Sequence, residues 1–234
     1  MPISPLQGSD LLTLTNSLNL GYNIDSGIFY SLLATVQSKV ESKRPWVILR
    51  KTDSSQSASV GDTFQTSKTI PSDFFFWQSE DPVVLVDPAS PSNSITYYEV
   101  PLAKQFDYQY QAYRFFCDYS ASKLYLGGTV ERSYKIYQNY IYQPDKIAVG
   151  TSWIFPAKFH ELLAFGVAAL YKLGVDFDDI NKLSGDDNGK TFLLGLNSME
   201  QWDANLQVGM MRGVDRRMDG DTPGFVSGHI NIYE

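Results

Sequence analysis

Residues 113–142 read YRFFCDYSASKLYLGGTVERSYKIYQNYIY, and their alternation of large apolar and polar side chains determines the fold class predicted for the middle of the chain. A period of two places alternate side chains on one face of a strand. The pattern predicts a strand over 113–119, a second at Leu124–Leu126 and a third over 131–142. Gly127-Gly128 is a two-residue hairpin signal, so these strands are predicted to form an antiparallel meander.

Shorter strands are predicted upstream of this meander. Trp46–Arg50, Val83–Val86 and Ile95–Val100 are each rich in apolar or β-branched residues. Residues 52–69, by contrast, are rich in Ser and Thr and almost free of large apolar groups. That composition predicts a mobile or hairpin loop.

The two ends of the chain carry helical patterns instead. Apolar residues at three- and four-residue spacing predict a short helix over 9–21 and a second that starts near residue 25 and ends before Pro45. A third helix is predicted over 156–174 and a long last helix over 186–217. The third is apolar on most of its circumference, which is typical of a buried helix.

These elements predict an α+β fold. Neither helical end can bury its apolar stripe alone, so we expect a helical bundle of two N-terminal and two C-terminal helices with an inserted antiparallel β subdomain and an extended C-terminal tail. The expected parts are a helical pair at 1–45, a β-rich subdomain at 46–150, the C-terminal helices at 151–217 and the tail at 218–234.

Composition narrows the class of protein further. The 234 residues carry a net charge of −7, which argues against broad wrapping of DNA but leaves room for a local basic strip. The N-terminus lacks the basic region and apolar run of a signal peptide, and the most apolar stretch, Leu162–Tyr171, is too short to span a membrane. The lone cysteine, Cys117, is predicted to be a small buried hydrophobe, compatible with a reducing compartment.

The most enzyme-like stretch is Ser184–Thr191 (SGDDNGKT), which approaches the P-loop pattern. A serine replaces the first glycine, adjacent aspartates stand where backbone amides would cradle phosphate, and no apolar strand precedes the loop. The segment is better explained as a helix N-terminus capped by Asp186, Asp187 or Asn188.

Metal and catalytic signals are weak. No second histidine follows His160 one turn on, and His229 is the only other histidine. The loop aspartates do not have the spacing of a twelve-residue calcium loop, so caps and solvated surface are expected of them: Asp176, Asp178, Asp179, Asp186 and Asp187. We therefore predict no catalytic residue, no cofactor and no metal. A hydrolase with carboxylates that meet only in space stays an alternative.

Tyrosine is concentrated in the middle of the chain, where 11 of the 15 tyrosines lie between Tyr97 and Tyr142. About half of these rings are predicted to be core and the rest contact surface. A carbohydrate- or receptor-binding role for this Tyr-rich sheet is therefore the main alternative to a structural function.

Arg212, Arg216 and Arg217 end the last predicted helix. Positions 212 and 216 share a face, so a short basic strip is expected where the helix dipole is negative. The strip either stabilises the helix end or binds an acidic partner or DNA.

The order of elements and four sequence stretches together resemble the head-to-tail adaptor (connector) proteins of tailed phages. After the N-terminal helical pair come WVILR at 46–50 and IPSDF at 70–74; FPAKFH at 155–160 opens the third helix, and MRGVDRR at 211–217 ends the last. The resemblance covers roughly residues 10–217. Because the β insertion is larger than that of the smallest adaptors, both an adaptor and another neck component are open.

The resemblance implies a non-enzymatic virion protein of the phage neck, made in the host cytoplasm. Such adaptors dock as a ring, commonly twelvefold, beneath the portal, so the implied partners are the portal, another neck or tail protein, neighbouring copies and the packaged DNA, with no membrane. They reach the portal with extended terminal segments. The tail thus becomes a candidate contact through five apolar residues: Phe225, Val226, Ile230, Ile232 and Tyr233.

Overall fold

The computed structural model describes residues 4–19, 23–174 and 180–218, with side chains except at 180, 181 and 209–218. Two compact units divide these residues. The first combines the chain up to Ile48 with Pro144–Gln207, and the second is built on Leu49–Gln143. Within the described residues, no helix is both long enough and apolar enough to cross a bilayer.

The described residues contain five α-helices, and all but the third contribute to the first unit. They are α1 (Gly8–Leu18), α2 (Ser26–Ser42), α3 (Gln105–Tyr108), α4 (His160–Leu173) and α5 (Asp187–Met218). Asp25 caps α2 by accepting hydrogen bonds from the backbone N–H groups of Gly27 and Ile28. The positions of α1, α2, α4 and α5 confirm the four helices that the sequence predicts.

Helix α4 is the centre of the first unit. A Cβ built on Gly166 would lie 2.8 Å from Val36 on α2 and 2.9 Å from the ring of Phe192 on α5. Val36 and Phe192 are both fully buried. Glycine at this point therefore permits a close three-helix contact.

Eight strands form the sheet of the second unit. They are β1 (Arg50–Ala58), β2 (Ser67–Thr69), β3 (Phe74–Trp77), β4 (Val83–Asp87), β5 (Ser90–Glu99), β6 (Arg114–Asp118), β7 (Lys123–Leu126) and β8 (Tyr134–Tyr142). The strand order is β1-β8-β4-β5-β6-β7-β2, and β3 pairs with the end of β8. All pairs are antiparallel except β5 with β6, which are parallel and are connected through α3.

The sheet curls until it is nearly a barrel. Its interior is filled by apolar side chains from β4, β6, β7 and β8, among them Leu85, Phe115, Leu124 and Ile136. The strands at the two ends of the order, β1 and β2, meet through side chains, at a junction that we call the seam.

At the seam, glutamine side-chain amides make the hydrogen bonds that a neighbouring strand would otherwise make. Thr69 N–H donates to Oε1 of Gln56 over 2.8 Å, and Nε2 of Gln56 donates back to the Thr69 carbonyl oxygen. Nε2 of the buried Gln138 donates to the same carbonyl oxygen over 3.0 Å.

The predicted fold class is wrong. The β part is a mixed, nearly closed eight-stranded sheet that forms a compact unit of its own, so the chain is not a helical bundle with an inserted antiparallel β subdomain. The physical reason is pairing: β8 pairs with β1, β3 and β4, all distant in sequence. Alternation shows that a strand is half-buried but does not identify its partner.

The predicted meander is also wrong. β6 pairs with β7 as expected. β8 does not pair with β7 but with β4, so Gly127-Gly128 is not a hairpin turn. A Cβ on Gly127 would lie 2.5 Å from the carbonyl oxygen of Gln111. The glycine is needed for the close approach of the segment that precedes β6.

Two predictions between residues 46 and 69 are corrected as well. Residues 47–49 form a 3₁₀ turn rather than a strand. Residues 52–58 and 67–69 are strands rather than a mobile or hairpin loop, because their pairing with β8 and β7 compensates for a polar composition. The predicted strands over 83–86, 95–100, 113–119 and 124–126 are confirmed within a few residues.

Candidate binding surfaces

The P-loop-like stretch is a helix N-terminus, as predicted. Oδ2 of Asp186 accepts a hydrogen bond of 3.0 Å from the N–H of Asn188 at the start of α5. Asp186 also forms an ion pair with Lys172, while Lys190 pairs with Asp187 at 2.9 Å. Burial opposes ionisation of Asp186, but these hydrogen bonds hold its pKa below the ordinary value. A carboxylate of the chain itself therefore lies where a phosphate would have to bind.

His160 has a structural role in the first unit. Its ring is buried; Nδ1 accepts a hydrogen bond from the N–H of Leu6 over 3.1 Å, and Nε2 lies 2.7 Å from the carbonyl oxygen of Phe155. In this arrangement Nδ1 is the acceptor and Nε2 the donor. Both nitrogens that a general base would use are thus engaged with the backbone.

Cys117 lies in the core of the second unit, as predicted. Its side chain is buried among the inward-facing residues of the sheet. Burial, with the nearby Glu99 carboxylate, raises the pKa of the thiol to about 12. The thiolate that reactive cysteines require is therefore disfavoured at neutral pH.

One group of aromatic and acidic side chains, the Tyr119 cluster, combines Phe74 and Trp77 of β3, Glu99 of β5 and Tyr119 just after β6. Trp77 Nε1 donates to the Tyr119 hydroxyl over 3.2 Å, and that hydroxyl donates to the Glu99 carboxylate. Phe74 stacks on Tyr119 at an interplanar angle of 21°. Burial and the bond to Glu99 raise the pKa of Tyr119, whose ring is nevertheless 52% exposed.

An ion-paired group adjoins the Tyr119 cluster through Phe74. Asp73 accepts hydrogen bonds from the Tyr140 hydroxyl over 2.8 Å and from Lys51 Nζ over 2.6 Å. Burial opposes ionisation of Asp73, but the bonds from Lys51 and Tyr140 hold its pKa below the ordinary value. Asp73 thereby fixes the start of β3 against β1 and β8.

The connection between β5 and β6 exposes large apolar side chains, and we call Leu102, Phe106 and Tyr110 the aromatic segment. Their exposed fractions are 42%, 82% and 76%. They are spaced four residues apart along a stretch that contains a 3₁₀ turn (Leu102–Lys104) and the four-residue helix α3. Tyr98 and Tyr113 near the ends of β5 and β6 are about half exposed as well. Sequence reasoning missed this surface because the segment contains no clear periodic element longer than one turn.

The tyrosines between 97 and 142 divide between core and surface. Three are buried, namely Tyr97, Tyr140 and Tyr142, and four are exposed, namely Tyr98, Tyr110, Tyr113 and Tyr119. The remaining four are partly buried. The exposed rings belong to the two surfaces described above or lie beside them.

The predicted partner-binding residues fall outside what the structure describes. Arg212, Arg216 and Arg217 lie on α5, but their side chains are not described. The five tail residues from Phe225 to Tyr233 lie outside the described residues, as do His229 and the aspartates at 176, 178 and 179. Their roles stay predictions. Among the described residues there is no group of three or more His, Cys, Asp or Glu side chains arranged to hold a metal.

No protein-family model matches the chain, and no curated protein matches it significantly. Function must therefore be inferred from the geometry of the described residues and from the order of the motifs. Two surfaces are available for that inference, the aromatic segment and the Tyr119 cluster.

Proposed function

We propose that the protein is a structural component of the tailed-phage neck, a head-to-tail adaptor that docks as a ring under the portal. The observation that carries the proposal is the aromatic segment. Phe106 and Tyr110 are more than three-quarters exposed. Leaving such rings in water is unfavourable, whereas aromatic side chains are enriched at protein interfaces.

The motifs behind the resemblance support the proposal through their structural roles. Trp46 is fully buried and donates from Nε1 to the carbonyl oxygen of Val40 over 2.8 Å. Asp73 and Phe74 organise one end of the sheet, and His160 holds the chain before α1 to the turn before α4. In these three motifs, at 46–50, 70–74 and 155–160, the named residues join elements of the fold. That is expected of signature residues in a non-catalytic family.

The proposal is tested in the phage that encodes the chain. A nonsense mutation in the gene should yield DNA-filled heads and separate tails, and the protein should be found in wild-type particles by mass spectrometry. Phe106→Ser combined with Tyr110→Ser should abolish tail attachment and lower the melting temperature only slightly, through loss of the edge-to-face contact between Tyr110 and Phe64. Val60→Ser is a matched control, because Val60 is 66% exposed but lies outside the aromatic segment. Normal tailing by the double variant contradicts the proposal.

A carbohydrate-binding role is the second candidate, and the Tyr119 cluster favours it. A half-exposed ring beside a carboxylate can stack on a pyranose while the carboxylate accepts from its hydroxyl groups. A glycan array and calorimetry test this candidate. Binding by the wild type that Tyr119→Phe retains and Tyr119→Ala loses supports it, whereas an array without signal contradicts it.

A further inference from the structure

The seam between β1 and β2 has the features of an incomplete strand pair. Each of the two strands has one strand neighbour in the described part of the chain, β8 for β1 and β7 for β2. Between them, Gln56 makes a reciprocal pair of hydrogen bonds with the backbone of Thr69. This arrangement copies one rung of a ladder with a side chain in place of a strand.

A buried acceptor beside the seam has no donor within the described part of the chain. Gln138 of β8 is fully buried, and its Nε2 donates to the Thr69 carbonyl oxygen. Its Oε1 atom has no hydrogen-bond partner among the residues that the structure describes. An unsatisfied acceptor of this kind is costly in a protein interior, so the site favours an incoming N–H group.

The chain offers a segment with suitable chemistry. Residues 229–233 read HINIY, in which Ile230 and Ile232 alternate with polar residues. On a strand, those two side chains would point to one face. The seam borders apolar core residues, including Ala58 of β1 and Ile70 just after β2. A strand placed there would direct Ile230 and Ile232 to the core and supply backbone N–H groups to the edge.

We propose that the seam is a strand-addition site and that its occupant is residues 225–233 of a second copy of the chain. The inference rests on the proposed ring, in which copies lie side by side, and it names the contact that joins them. The 16 residues after Met218 can span about 50 Å when extended, enough to reach a neighbouring copy. Addition of a strand to an exposed edge is an established mode of peptide recognition.

The side chain of Gln56 and the incoming strand compete for the same backbone groups. The N–H and carbonyl groups of Thr69 are engaged by Gln56 until a strand replaces it. Removing the Gln56 amide should therefore favour the incoming segment. A passive C-terminus would not respond to this change.

The experiment places a photo-crosslinking amino acid at Ser57, an exposed residue of β1, in the full-length protein. Irradiation at rising protein concentration should capture the tryptic peptide 218–234. Mixing ¹⁵N-labelled and unlabelled copies should show that the captured peptide comes from another molecule. The matched control carries the crosslinker at Tyr98, an exposed residue of β5 with strand partners on both sides. Gln56→Ala should raise capture at Ser57 several-fold, and Gln78→Ala should not.

Equal capture at Ser57 and Tyr98, capture only within one molecule, or no response to Gln56→Ala would each overturn the inference. These outcomes are separable from those of the adaptor proposal. Inter-copy capture at the seam by a protein that does not join heads to tails refutes the adaptor role alone. Normal tail attachment without capture refutes the strand-addition site alone.

Discussion

Asp203 is a polar side chain within the apolar stripe of α5. It lies on the buried face of α5 with Phe192, Leu196 and Met199, and it is fully buried. One carboxylate oxygen accepts from the N–H of Val47 over 2.7 Å, and the other pairs with Arg44 at 3.1 Å. The carboxylate thus anchors the turn after α2 to α5.

Asp203→Ala should therefore lower the free energy of unfolding by about 3 kcal/mol, because it leaves the buried N–H of Val47 without its acceptor and removes the ion-pair partner of Arg44. Chemical denaturation measures the change. Glu200→Ala is the control: it removes a more exposed ion pair with Lys43 and should cost under about 1 kcal/mol. Equal losses for the two variants would contradict the anchoring role.

Lys190 provides a second test at this scale. Its ammonium group pairs with the exposed Asp187 on the first turn of α5. Lys190→Ala should leave function and fold intact, as measured by tail attachment and circular dichroism. Nucleotide binding by the wild type that this variant loses would show that the loop binds phosphate after all.

Glu41 should give the first unit a distinct pH dependence. Burial raises the pKa of Glu41, although Trp153 and Gln37 donate hydrogen bonds to it. A raised folded-state pKa means that stability is fully present below the unfolded pKa and is lost as pH rises through the folded pKa. Relative to Glu41→Gln, the wild type should lose stability as pH increases from about 4.5 towards neutrality. Parallel denaturation curves for the two proteins across that range would be inconsistent with a buried ionising group.

At the scale of elements, α4 depends on the absence of a side chain at Gly166. Gly166→Ala improves helix propensity by about 1 kcal/mol but inserts a methyl group within 3 Å of Val36 and Phe192. Because both neighbours are fully buried, the net result should be destabilisation of about 1–2 kcal/mol in thermal or chemical unfolding. Gly150→Ala, where a Cβ would meet nothing within 4 Å, should cost little. An unchanged or higher stability for Gly166→Ala would show that the three helices can separate.

The local sequence pattern predicted individual helices and strands better than it predicted which strands pair with each other. The stripe of α2 and its Asp25 cap are local features, and they define the helix within a few residues. The strand β1, RKTDSSQSA, carries no such signal, since its stability comes from pairing with β8 more than 70 residues away. The Tyr119 cluster could not be predicted for the same reason, because β3, β5 and β6 meet only in space. Cys117 and the Asp186 cap depend on local alternation and capping, and both predictions hold.

At the scale of the whole molecule, the proposed adaptor role assigns assembly contacts to the C-terminal tail. It carries five apolar side chains, each worth about 1.5–3 kcal/mol if buried. Deleting Asp219–Glu234 should leave the melting temperature nearly unchanged and abolish attachment of tails to filled heads, because a modest gain per copy is multiplied around a ring. Electron microscopy of lysates gives the readout. Infectious particles at normal yield would identify the tail as a passive terminus.

The division of the first unit between the two ends of the chain has a consequence for biosynthesis. Helices α1 and α2 emerge early from the ribosome, but α4, against which both pack, begins only at His160. The strands β1 to β8, in contrast, are all complete by Tyr142. The sheet should therefore fold first on the nascent chain. The apolar faces of α1 and α2 stay exposed until α4 has been synthesised. During that interval we expect the exposed apolar faces of the N-terminal helices to be open to chaperone binding.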